Sequence, residues 1–166
     1  QPTDDHLLIT GEPGCGKSGL IYSLVEALQP DYPVILLLAE EIFGRDWKGS
    51  ANLPGLAHAL DEVLANWPNG ARGFLITDAL DAVRDVETQR MVRRLLGDVR
   101  DGQSGWTVIA SVREFDLKHG WELREAFPGT GVTGHSSNEF AGVAHFHLTG
   151  LSDAQSVDLA ARCEKI

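Results

Sequence analysis

The residues with the most chemistry in their spacing are Gly11-Glu12-Pro13-Gly14-Cys15-Gly16-Lys17-Ser18, a complete G-x-x-x-x-G-K-S pattern, with Gly19 after it. The chemistry this spacing serves is the holding of phosphate. Backbone N–H groups of such a loop turn inward and bind phosphate oxygens. Glycines let the main chain wrap closely around the anion. A helix beginning near Lys17 directs the positive end of its dipole at the same charge. The lysine then reaches the β- and γ-phosphates, and the Ser18 hydroxyl is a ligand for Mg²⁺. Cys15 sits inside the loop, where a helix N-terminus favours thiolate chemistry. The plainer reading, a small residue at a variable position, is the one we adopt for it.

A second group of charged residues stands at the ends of apolar runs. Asp78 closes "FLIT" and is the expected acid of a metal site, a partner to Ser18. Asp81 comes three residues later, where an acid can polarise an attacking water. It can equally be a turn former, since Asp is common in turns. Glu40 and Glu41 follow the run "VILLLA" and compete with Asp81 for the same role. Arg113 ends "WTVIASVR", where a guanidinium would face the terminal phosphate and stabilise charge developing there. The alternative for Arg113 is a salt bridge to Glu114 or Asp116.

The elements that must position these residues follow from periodicity. "HLLIT" (6–10) reads as a buried strand, and a helix from Lys17 to about Leu28 carries Leu20, Ile21, Leu24, Val25 and Leu28 at helical spacing. "VILLLA" (34–39) is an unbroken apolar run, suited to a strand covered on both faces. A helix is expected from about Pro54 to Ala65, a strand over 74–77, and a helix from about Val86 to Val99. A strand over 106–112 precedes a charged segment and a short helix near 120–126. After a turn-rich loop, a strand over 143–151 leads to Ser152, which opens a helix with Gln155 as its capping-box partner. Strands alternating with helices predict an α/β fold, a three-layer arrangement of a five-stranded, mainly parallel sheet with helices on both faces. Ligands in such folds lie beyond the carboxyl ends of the strands. Every group singled out above stands at such an end.

Composition bounds the partners. The 166 residues suggest one domain, and 43% hydrophobic content is enough for a core. A net charge of −10 argues against a mainly electrostatic grip on nucleic acid or an anionic membrane. Cys15 and Cys163 have no paired spacing, so neither a disulfide framework nor a zinc site is expected, and a cytoplasmic setting is the default. The reading expects an ATPase core over 1–151 and the start of a helical lid over 152–166, within a longer protein.

These residues resemble the additional-strand P-loop ATPases, and within them the AAA+ and STAND (NACHT-like) groups. "GEPGCGKS" is similar to the AAA+ loop, including the proline before the second glycine. "FLITDALDA" resembles the STAND form of the Walker B strand, with an acid three residues after the first Asp. "VIASVR" resembles a sensor 1 strand ending in arginine, and "FHLTGLSDAQ" the exit into a first lid helix. The resemblance implies that the strand ending at Arg113 lies between the phosphate-loop strand and the Asp78 strand. It implies ATP with Mg²⁺ as cofactors, ATP and ADP as ligands, and self-association through the core in a signalling or defence protein. It also puts Arg124 roughly where related proteins carry an arginine finger acting in trans. The chain departs from the AAA+ pattern at Ala79, where that pattern has Glu. RecA-like or KaiC-like ATPases, with a catalytic Glu after the second strand, are the nearest alternative and would use Glu40 or Glu41.

Three functions are therefore in play: an ATP-hydrolysing switch, a non-hydrolysing nucleotide-dependent interaction module, and a small-molecule kinase. No arginine-rich lid favours the third. Arg90, Arg93, Arg94 and Arg100 are read as a solvated basic helix face. His145 and His147 alternate on a strand without a third metal ligand and are read as strand histidines. Trp47, Trp67, Trp106 and Trp121 are expected to serve packing.

Overall fold

The computed structural model describes residues 6–38, 57–58, 60–67, 71–82, 96–97, 99, 105–150 and 152. Within them run β1 (Leu7–Gly11), α1 (Lys17–Leu28), β2 (Val34–Leu38), α2 (Leu60–Ala65), β3 (Gly73–Asp78), β4 (Trp106–Arg113), α3 (Glu114–His119), α4 (Trp121–Ala126) and β5 (His145–His147). Their five strands form one parallel sheet in the order β2-β3-β4-β1-β5. This is the α/β architecture expected from the alternation of strand and helix patterns. It also puts β4 between β1 and β3, as the family resemblance implied.

The pleat sends neighbouring residues to opposite faces, and the sequence fills both faces with apolar side chains. On one face Ile9, Phe74, Ile76 and Ile109 pack against Ile21 and Val25 of α1. On the other, Leu8, Leu75, Val108, Ala110 and Val112 pack with Leu60 and Leu64 of α2, with Leu96 and Val99, and with Leu117 of α3. Helices on both sides of one sheet make three layers. All six residues of β3 are buried, as are seven of the eight in β4. Burial of two full strands at about 25 cal/mol per Å² of apolar surface is what fixes their register and so the position of their ends.

One sequence expectation holds and three change. β2, expected to be covered on both faces, packs Ile35 and Leu37 against one core and Val34 and Leu36 against the other, and it lies at the sheet edge among the described strands. Periodicity separates a buried-face strand from a helix but does not rank strands across a sheet. The charged segment after Arg113 is a helix, α3, with Glu114 and Asp116 in its first turn and Lys118 and His119 in its last. That distribution complements the helix dipole. β5 covers only His145–His147, because the amides of Val143 and Ala144 are taken by the carbonyls of Phe140 and Phe127 at 3.1 and 2.9 Å. Trp121 does not pack: it is 63% exposed, whereas Trp67 and Trp106 meet with ring centroids 4.6 Å apart. Of the helix expected over 54–65, the described part is α2, and Ala57 and His58 precede it in a bend. The expected helix over 86–99 is represented by Leu96, Gly97 and Val99, all helical. Arg90, Arg93, Arg94, Arg100, Trp47 and the lid segment after Ser152 lie outside the described residues.

Candidate functional site

The site is built where β1, β3 and β4 end together. β1 stops at Gly11, and the loop turns on a hydrogen bond from the Cys15 amide to the Glu12 carbonyl at 3.2 Å. Gly16 then takes φ 101°, ψ 17°, a left-handed conformation that an L side chain resists, and α1 starts at the next residue. Gly11 is glycine for a different reason. A Cβ there would meet the Leu148 carbonyl oxygen and come within 2.8 Å of the Cys15 sulfur.

The entry to α1 is prepared for an anion. No side chain caps Gly16, and the first turn contains no acid. The orphan N–H groups that open every helix are therefore left to face an external acceptor. The Lys17 ammonium lies across the loop, donating to the carbonyls of Gly11 and Glu12, both at 2.8 Å, and standing 3.8 Å from the Cys15 sulfur. It is held at the mouth of the loop rather than out in solvent.

β3 and β4 supply the opposite wall. Asp78, the last residue of β3, is buried, and its Oδ1 accepts a hydrogen bond from the Ser111 hydroxyl at 2.6 Å. The chain turns next through Ala79 at φ 54°, a left-handed position held by a non-glycine residue. The amide of Ala79 donates to the same Ser111 oxygen at 2.7 Å. That turn brings Asp81 back beneath the end of β4. Both Asp81 oxygens are engaged there: Oδ1 accepts from the Arg113 amide at 3.1 Å, and Oδ2 meets Arg113 Nε at 2.8 Å. The Asp81 side chain is 2% exposed and that of Arg113 46% exposed. The partner of Arg113 is thus Asp81, and not Glu114 or Asp116 as the sequence alternative had it.

A cleft of about 380 Å³ runs between the two walls. The phosphate-loop residues Pro13, Gly14, Gly16, Lys17, Ser18 and Gly19 line one side of it, and Asp78, Asp81, Ser111 and Arg113 the other. The residues suit a nucleoside triphosphate with a magnesium ion. Turned amides, a lysine and an uncapped helix start face the phosphates. The Ser18 hydroxyl and the Asp78 carboxylate share the cleft as candidate metal ligands. Mg²⁺ is usually held by one or two protein oxygens together with substrate phosphates and waters. A cage of protein ligands is not needed, and among the described residues no cluster of three His, Cys, Asp or Glu could provide one.

Most of the sequence candidates meet here: Ser18, Lys17, Asp78, Asp81 and Arg113 line one cleft. Glu40 and Glu41 lie outside the described residues. Arg124 is engaged by its own chain, with Nε donating to the Leu117 carbonyl at 2.9 Å and a terminal nitrogen to the Lys118 carbonyl at 2.7 Å. His145 is a buried strand histidine, its ring nitrogens bonded to the Val143 carbonyl at 2.9 Å and the Ser137 amide at 2.8 Å. Sequence reasoning missed Ser111. The available signal was a single small polar residue near the end of the otherwise apolar run of "VIASV", two positions before Arg113 and therefore on the same face of the strand.

This is a three-layer P-loop NTPase fold, and comparison with solved structures agrees. A RuvB variant from Thermotoga maritima superposes with a TM-score of 0.53 over 98% of this chain and 44% of its own, at 12% sequence identity. The cytoplasmic domain of the type VII secretion ATPase EccC from Thermomonospora curvata gives 0.47 at 21% identity, over 75% of this chain and 18% of its own. EccC ATPases 2 and 3 of the same organism, in complex with a signal sequence peptide, give 0.48 at 20% identity, over 75% of this chain and 29% of theirs. The chain therefore spans less than half the length of each of these structures. No family model matches the sequence, and no curated protein matches it significantly.

Proposed function

We propose that the chain is the Mg-ATP-binding, ATP-hydrolysing core of a nucleotide switch within a larger protein of the AAA+/STAND kind, serving signalling or defence. The observation that carries this reading is the single cleft shared by Lys17, Ser18, Asp78, Asp81 and Arg113. The loop amides and Lys17 bind the phosphates. Ser18 and Asp78 hold the magnesium ion, which when bound neutralises phosphate charge and orients the triphosphate. Arg113, next to the loop, stabilises charge on the terminal phosphate. Asp81 polarises the water, with Glu40 or Glu41 as alternatives for that role. The core associates with copies of itself when ATP is bound and acts in the cytoplasm. Among the described residues no helix is long and apolar enough to cross a membrane.

The test is Mg²⁺-dependent ATP binding and phosphate release by the full-length protein, compared with Lys17→Ala and Asp78→Asn. Lys17→Ala abolishes binding, and Asp78→Asn removes the Mg²⁺ dependence. If Asp78→Asn leaves both Mg²⁺ dependence and turnover at the level of the unmodified protein, the assignment fails.

One observation favours a second reading, a nucleotide-dependent interaction module that does not hydrolyse. Both oxygens of Asp81 are bonded to Arg113, and position 79, where AAA+ proteins carry their glutamate, is alanine. Under that reading ATP binds without phosphate release in any assembly state. Release above the Lys17→Ala background excludes it.

A further inference from the structure

We propose that Ser111 is a positioning residue of the magnesium site, one that orients the Asp78 carboxylate through its hydroxyl proton. The proposal rests on the reading of the cleft as a Mg-ATP site.

The direction of each hydrogen bond is fixed by chemistry. A backbone amide can only donate, so the 2.7 Å contact between the Ala79 amide and Ser111 Oγ uses an acceptor site of the hydroxyl. The one hydroxyl proton is then free for the 2.6 Å contact to Asp78 Oδ1, where the carboxylate accepts. A hydrogen bond to an ionised acceptor at this distance is among the stronger kinds. It engages one of the two Asp78 oxygens and leaves the other for the cleft that Asp78 shares with Ser18. Ser111 is itself 1% exposed, so no solvent competes for either contact.

The placement follows from the sheet. Thr77 pairs with Ala110 in the parallel register of β3 and β4, so the next pair along is Asp78 and Ser111. The same hydroxyl holds the left-handed turn at Ala79, from which the chain continues to Asp81. A group two residues along the same face of β4, Arg113, holds Asp81 in turn. Ser111 thus fixes the first acid of the pair and the turn that delivers the second.

The test separates metal binding from nucleotide binding. ADP affinity is measured by calorimetry in EDTA. Mn²⁺, standing in for Mg²⁺, is then titrated into the protein–ADP complex and followed by electron paramagnetic resonance. Residues that orient a metal ligand typically contribute 10–100-fold to metal affinity. Ser111→Ala is expected to weaken Mn²⁺ binding by about tenfold or more, with metal-free ADP affinity unchanged. Ser111→Thr, which restores a hydroxyl, recovers most of the loss. Ser111→Cys keeps the volume but donates weakly, and carries the same readout should the alanine variant fold poorly. Wild-type Mn²⁺ affinity in Ser111→Ala overturns the proposal. So does an equal loss of metal-free ADP binding, which marks Ser111 as a structural prop. An unmodified protein that binds no ADP in either condition overturns the Mg-ATP reading itself, and that result needs no variant to be seen.

Discussion

The ion pair between Asp81 and Arg113 is asymmetric, and that asymmetry makes a quantitative prediction. Asp81 is 2% exposed and Arg113 46% exposed. An exposed pair contributes about 0–1 kcal/mol, because water replaces either partner cheaply. Here only the arginine can be rehydrated. Arg113→Ala removes the 2.8 Å Nε contact and leaves a buried carboxylate with one backbone donor, the Arg113 amide at 3.1 Å. Hydrogen bonds to charged groups are worth about 1.5–3 kcal/mol, and half-exposure of the guanidinium brings the expected loss to about 1–2 kcal/mol. For a chain of this length each kcal/mol shifts the melting temperature by about 2–4 °C, so a drop of about 2–8 °C is expected. Asp81→Asn costs less, since the amide oxygen still accepts from the Arg113 amide. The double variant costs less than the sum, because no buried charge is left without a partner. The coupling is expected at about 1 kcal/mol, read from urea unfolding of all four proteins. Additivity within about 0.5 kcal/mol refutes the reasoning and makes the pair an ordinary surface contact.

Other consequences can be checked alongside. Gly16→Ala forces a left-handed φ of 101° on a residue with a Cβ and is expected to cost about 1–2 kcal/mol, read from thermal unfolding, together with most of the affinity for ATP. Arg124→Ala removes two caps on the Leu117 and Lys118 carbonyls and the cation–π contact over Phe140 at 5.6 Å, lowering stability by about 1–3 kcal/mol in urea unfolding. Its structural use further predicts that mixing Arg124→Ala subunits with unmodified ones leaves ATP turnover per unmodified subunit unchanged, whereas a finger acting in trans lowers it. The hydrogen bond from Lys118 to Glu139 raises the lysine above its ordinary value, with their charge attraction adding to it. A raised folded value means the contact's contribution is complete at neutral pH and fades only as pH rises through the alkaline range. Lys118→Met should therefore flatten the alkaline limb of the stability–pH curve relative to the unmodified protein.

The phosphate loop was legible because its constraints are local. Gly14 and Gly16 answer to left-handed backbone geometry within the loop itself, and α1 runs from Lys17 to Leu28 as its apolar spacing predicted. Strand ends at Asp78 and Arg113 were legible for the same reason, each being a polar residue after an apolar run. Partnership across strands was not. Arg113 has acids one and three residues away in sequence, and it binds a third one 32 residues distant. Only the register of β3 against β4 brings that acid near. Ser111 was invisible for the same cause, since a serine in a strand says nothing of which carboxylate stands beside it. α3 was missed because a six-residue helix carries too short an apolar period to register, with Leu117 as its one buried residue.

Strand order decides what this site can be. With β4 between β1 and β3, the residues at the end of β4 stand between the phosphate loop and the acids of β3. Were β4 separated from β3 by another strand, neither Ser111 nor Arg113 could reach those acids. As built, Ser111 and Arg113 are spaced two apart on one strand face and take Asp78 and Asp81, spaced three apart across the turn at Ala79. The extra residue in the turn is accommodated by its left-handed backbone. The consequence is that Asp81 does not lie free in the cleft. Under the proposed Mg-ATP reading, a terminal phosphate at Lys17 would be a second anion within the same cleft for the Arg113 guanidinium. A guanidinium with two claimants would then tie the engagement of Asp81 to the presence of the nucleotide.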